Sequence, residues 1–185
     1  MKTHFDIEQF IEHGSITNEL DFERAMIADR KLRLLSKESV HFKNLRKRLR
    51  TLIEDYETKN WSDLDSLTED KIAESEKYEI IAEQERLFLD NRKQIIRECL
   101  KRFDLTQENL GKILGHKSKT HMSELMNGIK PFTLKDLIVI NRLLKIDFKV
   151  LIPNFLSKED QMKIKSIVSS MNKPQLKLEK VDLMF

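Results

Sequence analysis

The chain has 185 residues, 39% of them hydrophobic and 35% charged, with only four glycines and three prolines. This composition favours long helices with solvated faces. The single cysteine excludes an intrachain disulfide and suits a reducing, cytoplasmic environment. No apolar run approaches the roughly 18 residues of a membrane span, and the acidic first twelve residues do not have the pattern of a signal peptide.

The net charge of +3 is distributed unevenly along the chain. Residues 91–153 contain 13 Lys and Arg against 6 Asp and Glu, a net charge of +7. Residues 62–90 contain 3 Lys and Arg against 10 Asp and Glu, a net charge of −7. A basic region beside an acidic block suggests nucleic-acid binding together with a separate interaction surface.

The first 61 residues predict three helices. A short helix ends near Gly14, and a second begins at Asn18 or Asp21. A third runs from about Ser39 to Lys59, with Val40 among the positions of its broad apolar face. Its other face carries a basic cluster, which we interpret as a solvated face rather than a site for phosphate or an acidic partner: Lys43, Arg46, Lys47, Arg48 and Arg50.

The acidic block predicts a further helix, capped by Ser66 or Thr68. No Pro or Gly interrupts the chain between Trp61 and Leu110, so the block should be a helical linker that continues into the next domain. Its predicted apolar side consists of Ile72, Tyr78, Ile80, Ile81 and Leu87.

Residues 91–153 have the pattern of a helix-turn-helix. Thr106 should cap the first helix of the motif, and Gly115 should end it in the left-handed conformation. Gly111 lies inside this helix, where glycine costs about 1 kcal/mol relative to alanine, so we expect another helix to cross close to its backbone. The apolar positions of the two helices are Leu110, Ile113 and Leu114, then Met122, Leu125 and Met126, and Gly128 should end the second helix.

The outer side of the second helix is polar, as in helices that enter the major groove. Lys119 and Thr120 are the candidates for base edges, and Gln107 for a phosphate. The alternative is the solvated face of an ordinary helical pair. The residues predicted to face a duplex are Gln107, Ser118, Lys119, Thr120, His121, Ser123, Asn127 and Lys130, the last two through the DNA backbone.

Three further elements follow. Thr133 should cap a helix with Leu134 and Leu143 among its inner positions, and Asp147 should cap a short helix that ends before Pro153. Ser157 should cap a C-terminal helix whose apolar positions are Met162, Ile164, Ile167, Val168 and Met171. The tail Gln175–Glu179 alternates with period two, which is typical of a strand.

Three runs carry a resemblance to a known family: Leu105-Thr106-Gln107 through Leu114-Gly115, Ser123-Glu124-Leu125-Met126-Asn127-Gly128, and Lys130-Pro131-Phe132-Thr133-Leu134. They resemble the Xre/Cro-type helix-turn-helix. With Leu52-Ile53-Glu54-Asp55-Tyr56-Glu57 ahead of the linker, the chain resembles more narrowly the HigA-type antitoxins of HigBA toxin–antitoxin modules. The resemblance covers about residues 45–60 and 91–153. The segment His116–Gly128 is one residue longer than the family pattern, and residues 62–90 and the tail have no counterpart.

The residue patterns and the resemblance together predict an all-α fold in four parts. An N-terminal helical region, 1–61, is joined by the acidic linker, 62–90, to a five-helix, lambda-repressor-like DNA-binding domain, 91–153. A C-terminal helix and a short strand occupy 154–185.

The resemblance also implies an antitoxin that binds operator DNA, represses its own operon and neutralises a RelE-fold endoribonuclease toxin. We expect a homodimer, because one small helix-turn-helix contacts too few base pairs for specificity. We expect residues 1–90 to bind the toxin. The alternatives are a transcriptional regulator without a toxin and a helical protein-interaction adaptor.

Catalytic patterns are missing from the sequence. Its five histidines are scattered, and it has no His-Glu-x-x-His, no Cys-x-x-Cys and no glycine-rich phosphate loop. We therefore predict no enzymatic activity, no metal and no cofactor.

Overall fold

The computed structural model describes residues 5–62, 68–153, 158–173 and 175–176. These residues form helices and no strand, which confirms the all-α fold. The chain divides into two compact units, residues 1–151 and 152–185. Across the described ranges, no helix is both long and apolar enough to cross a bilayer.

The N-terminal region forms the three predicted helices. They are α1 (Ile7–His13), α2 (Glu19–Leu35) and α3 (Val40–Asn60). Each begins where a polar side chain, from Asp6, Asn18 and Ser39 in turn, accepts a hydrogen bond from a backbone N–H of the first turn. Gly14 ends α1 with a φ of 76°, a left-handed conformation that favours glycine.

The acidic block and the start of the basic domain form one continuous helix, α4 (Glu69–Arg102), of 34 residues. Thr68 caps it, in agreement with one of the two predicted caps. The helical linker is thus confirmed for the residues that the structure describes, and the boundary predicted at 90/91 falls inside α4. Because no break separates them, α4 fixes the spacing between the N-terminal and the basic helices.

Four shorter helices complete the first unit: α5 (Gln107–Leu114), α6 (Lys119–Asn127), α7 (Leu134–Leu144) and α8 (Phe148–Leu151). Thr133 caps α7 as predicted, and Asp147 accepts the backbone N–H of Lys149 at the start of α8. With the end of α4 they form the five helices expected of this region. Their buried apolar side chains include Ile96, Cys99, Leu100, Leu110, Leu114, Met122, Leu125, Met126, Ile140, Leu144 and Leu151.

The second unit contains α9 (Lys158–Ser170). Its predicted cap, Ser157, lies outside the described residues. The tail predicted as a strand, Gln175–Glu179, is described only at its first two residues, which are not in a strand.

The core of the N-terminal helices extends to the end of α6. Ile129, just after α6, is fully buried and belongs to the same cluster as Ile7, Phe10, Phe42, Leu45 and Leu49 of α1 and α3. The backbone N–H of Ile7 donates to the carbonyl of Ile129 at 3.0 Å. The N-terminal helices therefore pack directly against the end of the second helix of the motif.

Polar contacts join α2 to α4. The Arg24 guanidinium donates through Nε to Glu85 at 2.8 Å, and the Ser75 hydroxyl donates to Glu19 at 2.9 Å. Burial lowers the pKa of Lys31, whose ammonium lies 3.5 Å from Asp90. These pairs fix the side of α4 that faces α2.

Several residues predicted to be apolar core positions are exposed. Helical periodicity identifies which side of a helix is apolar, but the neighbouring helices cover only part of that side. Cys99, by contrast, is buried as predicted. The exposed residues are Val40, Ile72, Ile80, Leu87, Ile113, Leu134, Leu143, Met162, Ile167 and Met171.

Candidate nucleic-acid interface

The turn between α5 and α6 is formed by caps that the sequence specifies. Thr106 and Asn109 form a reciprocal capping box at the start of α5, and Gly115 ends it with a φ of 87°. The Ser118 side chain accepts the backbone N–H of His121 and starts α6. The caps predicted for α5, Thr106 and Gly115, and the predicted end of α6 at Gly128 are therefore confirmed, whereas the cap at Ser118 was not predicted.

Gly111 marks the closest approach of α5 to the chain that follows. A β-carbon at this position would lie 3.5 Å from Cγ of Met122 in α6 and 3.4 Å from the carbonyl oxygen of His116. The expectation that another helix crosses near Gly111 is confirmed. Glycine lowers the helix propensity of α5 at this position, but without a side chain it lets the two helices of the motif pack closely.

The first half of α6 is open to solvent. Ser118 is exposed, and the Lys119 side chain is 81% exposed. Thr120, His121 and Ser123 are half-buried. Residues at the start of the second helix are the ones that contact base edges in helix-turn-helix proteins, so the polar side chains here are available for that role.

Glu108 connects the start of α5 with the start of α6. Its carboxylate lies 3.0 Å from the Lys119 ammonium and 3.3 Å from the Lys112 ammonium. Hydrogen bonds from these two lysines lower the pKa of Glu108. Exposed ion pairs of this kind are weak, so a phosphate can displace Glu108 from either lysine. Gln107, at the first position of α5, is half-buried beside this group.

The second half of α6 is buried, and this changes the roles predicted for Asn127 and Lys130. Asn127 is 7% exposed, and its side-chain oxygen accepts a hydrogen bond from the Lys93 ammonium at 2.6 Å. Its amide group donates to Ser123. In this conformation Asn127 connects α6 to α4 and does not face solvent.

Lys130 lies against the carboxylates of Glu8 and Glu124. Burial would lower the pKa of its ammonium, but these two carboxylates outweigh burial and raise the pKa. Lys130 therefore connects α1 to α6, and we do not assign it a contact with a duplex.

The centre of this network is the buried carboxylate of Glu124, whose side chain is 4% exposed. One oxygen lies 2.6 Å from Nε2 of His41 in α3, and the other lies 3.1 Å from Nδ1 of His121 and 3.2 Å from the Lys130 ammonium. Burial would raise the pKa of Glu124, but the hydrogen bonds from its partners outweigh burial and lower it.

Sequence reasoning missed this network. His41 and Glu124 are 83 residues apart, and His41 belongs to no recognisable motif. One feature of the sequence could have indicated the network: Glu124 is a charged residue next to the inward-facing Leu125, so it would need a partner if it were buried. Charged side chains are almost never fully buried without a partner.

Glu8, His41 and Glu124 also bring three potential metal ligands within 4.8 Å of one another. The Lys130 ammonium contacts both carboxylates, so it already supplies the positive charge that a metal ion would bring. We therefore interpret the group as an internal salt-bridge network.

His116 packs beside the exposed half of α6. Its Nε2 lies 3.2 Å from the carboxylate of Asp136, and its ring lies 4.9 Å from the ring of His121. Asp136 is itself 2% exposed and caps α7 together with Thr133. His116 thus links the turn to α7, which leaves His121 as the histidine nearer to the open surface.

The exposed charge around the motif is predominantly positive. Of the six acidic residues in 91–153, Glu124 and Asp136 are buried. The exposed basic side chains include Arg97, Lys101, Arg102, Lys112, Lys117, Lys119, Lys135, Arg142, Lys145 and Lys149. A surface of this composition attracts phosphate backbones without regard to sequence.

Comparison of the chain with models of protein families, with curated proteins and with solved structures found no significant match.

We expect Glu124→Gln to lower the free energy of unfolding by about 1–3 kcal/mol near neutral pH, because a buried charged acceptor is lost. The folded pKa of Glu124 is depressed. Its stabilisation is therefore fully present above its unfolded pKa and is lost as the pH falls through the folded pKa. The difference between the wild type and the variant should shrink below about pH 4.5. Urea denaturation at neutral and acidic pH measures both effects.

Glu108→Gln is the matched control, because the Glu108 carboxylate is exposed at the surface of the same motif. It should not change the free energy of unfolding measurably. A comparable loss in the control, or a Glu124→Gln effect independent of pH, would contradict the assignment.

Proposed function

We propose that this protein is a DNA-binding antitoxin. It represses its own operon as a homodimer and neutralises an endoribonuclease toxin of the RelE fold. The observation that carries the DNA-binding part is the first half of α6, which is polar and open while the second half is buried. The antitoxin part is supported by the resemblance of residues 45–60 and 91–153 to HigA-type antitoxins.

The proposed interface is smaller than the sequence predicted. Lys119 and Thr120 contact base edges, and Ser118 and Gln107 contact phosphates beside them. His121 and Ser123 lie at the inner edge of this surface, since His121 contacts the buried Glu124 and Ser123 accepts hydrogen bonds from the buried Asn127. Asn127 and Lys130 position α6 against α4 and α1.

The proposed homodimer follows from the size of this surface. Half of a short helix contacts only a few base pairs, so two copies spaced by one helical turn, about 34 Å, are needed for a useful operator. The operator should then be close to palindromic, with two chains bound to each site.

We expect Lys119→Ala to weaken binding to the operator by about 1–3 kcal/mol, because one base contact is lost. The probe is a duplex taken from immediately upstream of the protein's own gene, and fluorescence anisotropy measures its affinity beside that of a random duplex. Binding to random DNA should change much less, and titration at high concentration should saturate at two chains per site.

Lys149→Ala is the control, since Lys149 is exposed on α8 and is not part of the proposed interface. Equal losses on operator and random DNA would make Lys119 a phosphate contact instead. No loss of affinity on either duplex would contradict the proposed interface. Saturation at one chain per palindrome would contradict the homodimer.

The antitoxin part of the proposal is tested with the product of the adjacent gene. We expect that product to arrest growth when expressed alone, and to co-purify with this protein and lose its toxicity when both are expressed. If the neighbouring gene product neither binds this protein nor arrests growth, the antitoxin assignment is wrong, whereas the proposal of DNA binding is unaffected. The full chain is required, because a cut at 90/91 falls inside α4 and separates Ile129 from its core.

A further inference from the structure

The outer side of α4 exposes three large apolar side chains. Ile72 is 45%, Ile80 is 59% and Leu87 is 53% exposed. At 3.6 residues per turn, their spacings of eight and seven residues place them within an arc of about 80°. They therefore form one row along the helix.

Acidic side chains lie in the same arc. Glu76 and Glu79 are exposed, and the Glu83 side chain is 44% exposed. Two basic residues border this arc. Lys77 is exposed, and Arg86 lies 2.6 Å from carboxylate oxygens of both Glu83 and Asp90, so the charge of Arg86 is offset locally. We call Ile72, Glu76, Glu79, Ile80, Glu83 and Leu87 the α4 stripe.

An adjoining side of α4 packs against α2. Ser75 and Glu85 make their hydrogen bonds there, to Glu19 and Arg24, and Ala82 between them is 2% exposed. The three apolar side chains of the α4 stripe lie outside these contacts and remain exposed. Its apolar side chains consequently contribute little to the core of this unit.

We propose that the α4 stripe binds a protein partner through an amphipathic segment whose apolar side chains are flanked by Lys and Arg. This inference rests on the proposed function and names the toxin-binding surface. Three apolar side chains supply area that is removed from water on binding. The carboxylates among and beside them select a basic partner and disfavour others.

The same charge disfavours a second copy of this chain as the occupant. Two identical α4 stripes placed face to face would oppose carboxylates with carboxylates, and like charges in close contact disfavour association. A basic segment removes this repulsion and forms ion pairs instead.

Two synthetic helical peptides test the chemistry of this surface on the full-length protein. Both carry leucine on one face, and the other face is lysine in one peptide and glutamate in the other. We expect the Leu–Lys peptide to bind and the Leu–Glu peptide not to bind in a fluorescence anisotropy titration. Raising the salt concentration should weaken Leu–Lys binding, since ion pairs are screened.

The double variant Ile80→Ser, Leu87→Ser should weaken Leu–Lys binding by about tenfold or more, because two side chains no longer leave water on binding. The control is Leu34→Ser, Val40→Ser, which removes two side chains exposed by 67% and 72% at the turn between α2 and α3. Glu76→Gln, Glu79→Gln should weaken binding and reduce its salt dependence.

Equal binding of both peptides, or equal losses in the two double variants, would overturn the proposal. Dissociation of a homodimer by Ile80→Ser, Leu87→Ser would assign the stripe to a second copy and would also overturn it. If that variant loses the peptide but still co-purifies with the toxin, the toxin assignment of the stripe is wrong. DNA affinity should be the same in all these variants, so a failure here is distinguishable from a failure of DNA binding.

Discussion

The buried carboxylate of Glu124 connects the two halves of the first unit. A carboxylate that leaves water needs charged or hydrogen-bonding partners to remain ionised. Its partners come from different parts of the chain: His41 from α3, Lys130 from the end of the motif, and through Lys130 also Glu8 of α1. Ile129 adds an apolar contact beside this network. The second half of α6 is fixed by these contacts, whereas its first half remains open.

The long helix α4 also connects the N-terminal helices with α6. Arg24 and Lys31 of α2 pair with its first two thirds, and Lys93 in its last third donates to Asn127 of α6. Contacts from α1, α3 and α4 therefore hold α6 in place. A partner that moves the N-terminal helices would act on α6 through these contacts, so the structure provides a physical route between the proposed protein-binding surface and the proposed DNA-binding surface.

The local features of the fold could be predicted because they depend on short stretches of sequence. Caps such as Thr106 and Thr133, and left-handed ends such as Gly115, are specified within a few residues. The continuity of α4 followed from the absence of Pro and Gly. Lys119 was correctly placed on the outer side of α6, because helical periodicity distinguishes the outer side from the inner one.

What could not be predicted depends on contacts between distant segments. Asn127 and Lys130 have the residue types of DNA ligands, but Lys93 and Glu8 engage them in this fold. The burial of Glu124 depends on His41, which no motif marks. The exposure of Ile80 and Leu87 depends on which arc of α4 the neighbouring helix covers, and periodicity alone does not give that arc.

Native-state hydrogen exchange tests most directly the claim that the N-terminal helices and α6 form one cooperative unit. The amides of Leu125 and Met126 in α6 should exchange with the same free energy of opening, and the same urea dependence, as those of Leu45 and Leu49 in α3. The contrary result would be exchange of the α6 amides through a separate opening of lower free energy, with the α3 amides still protected.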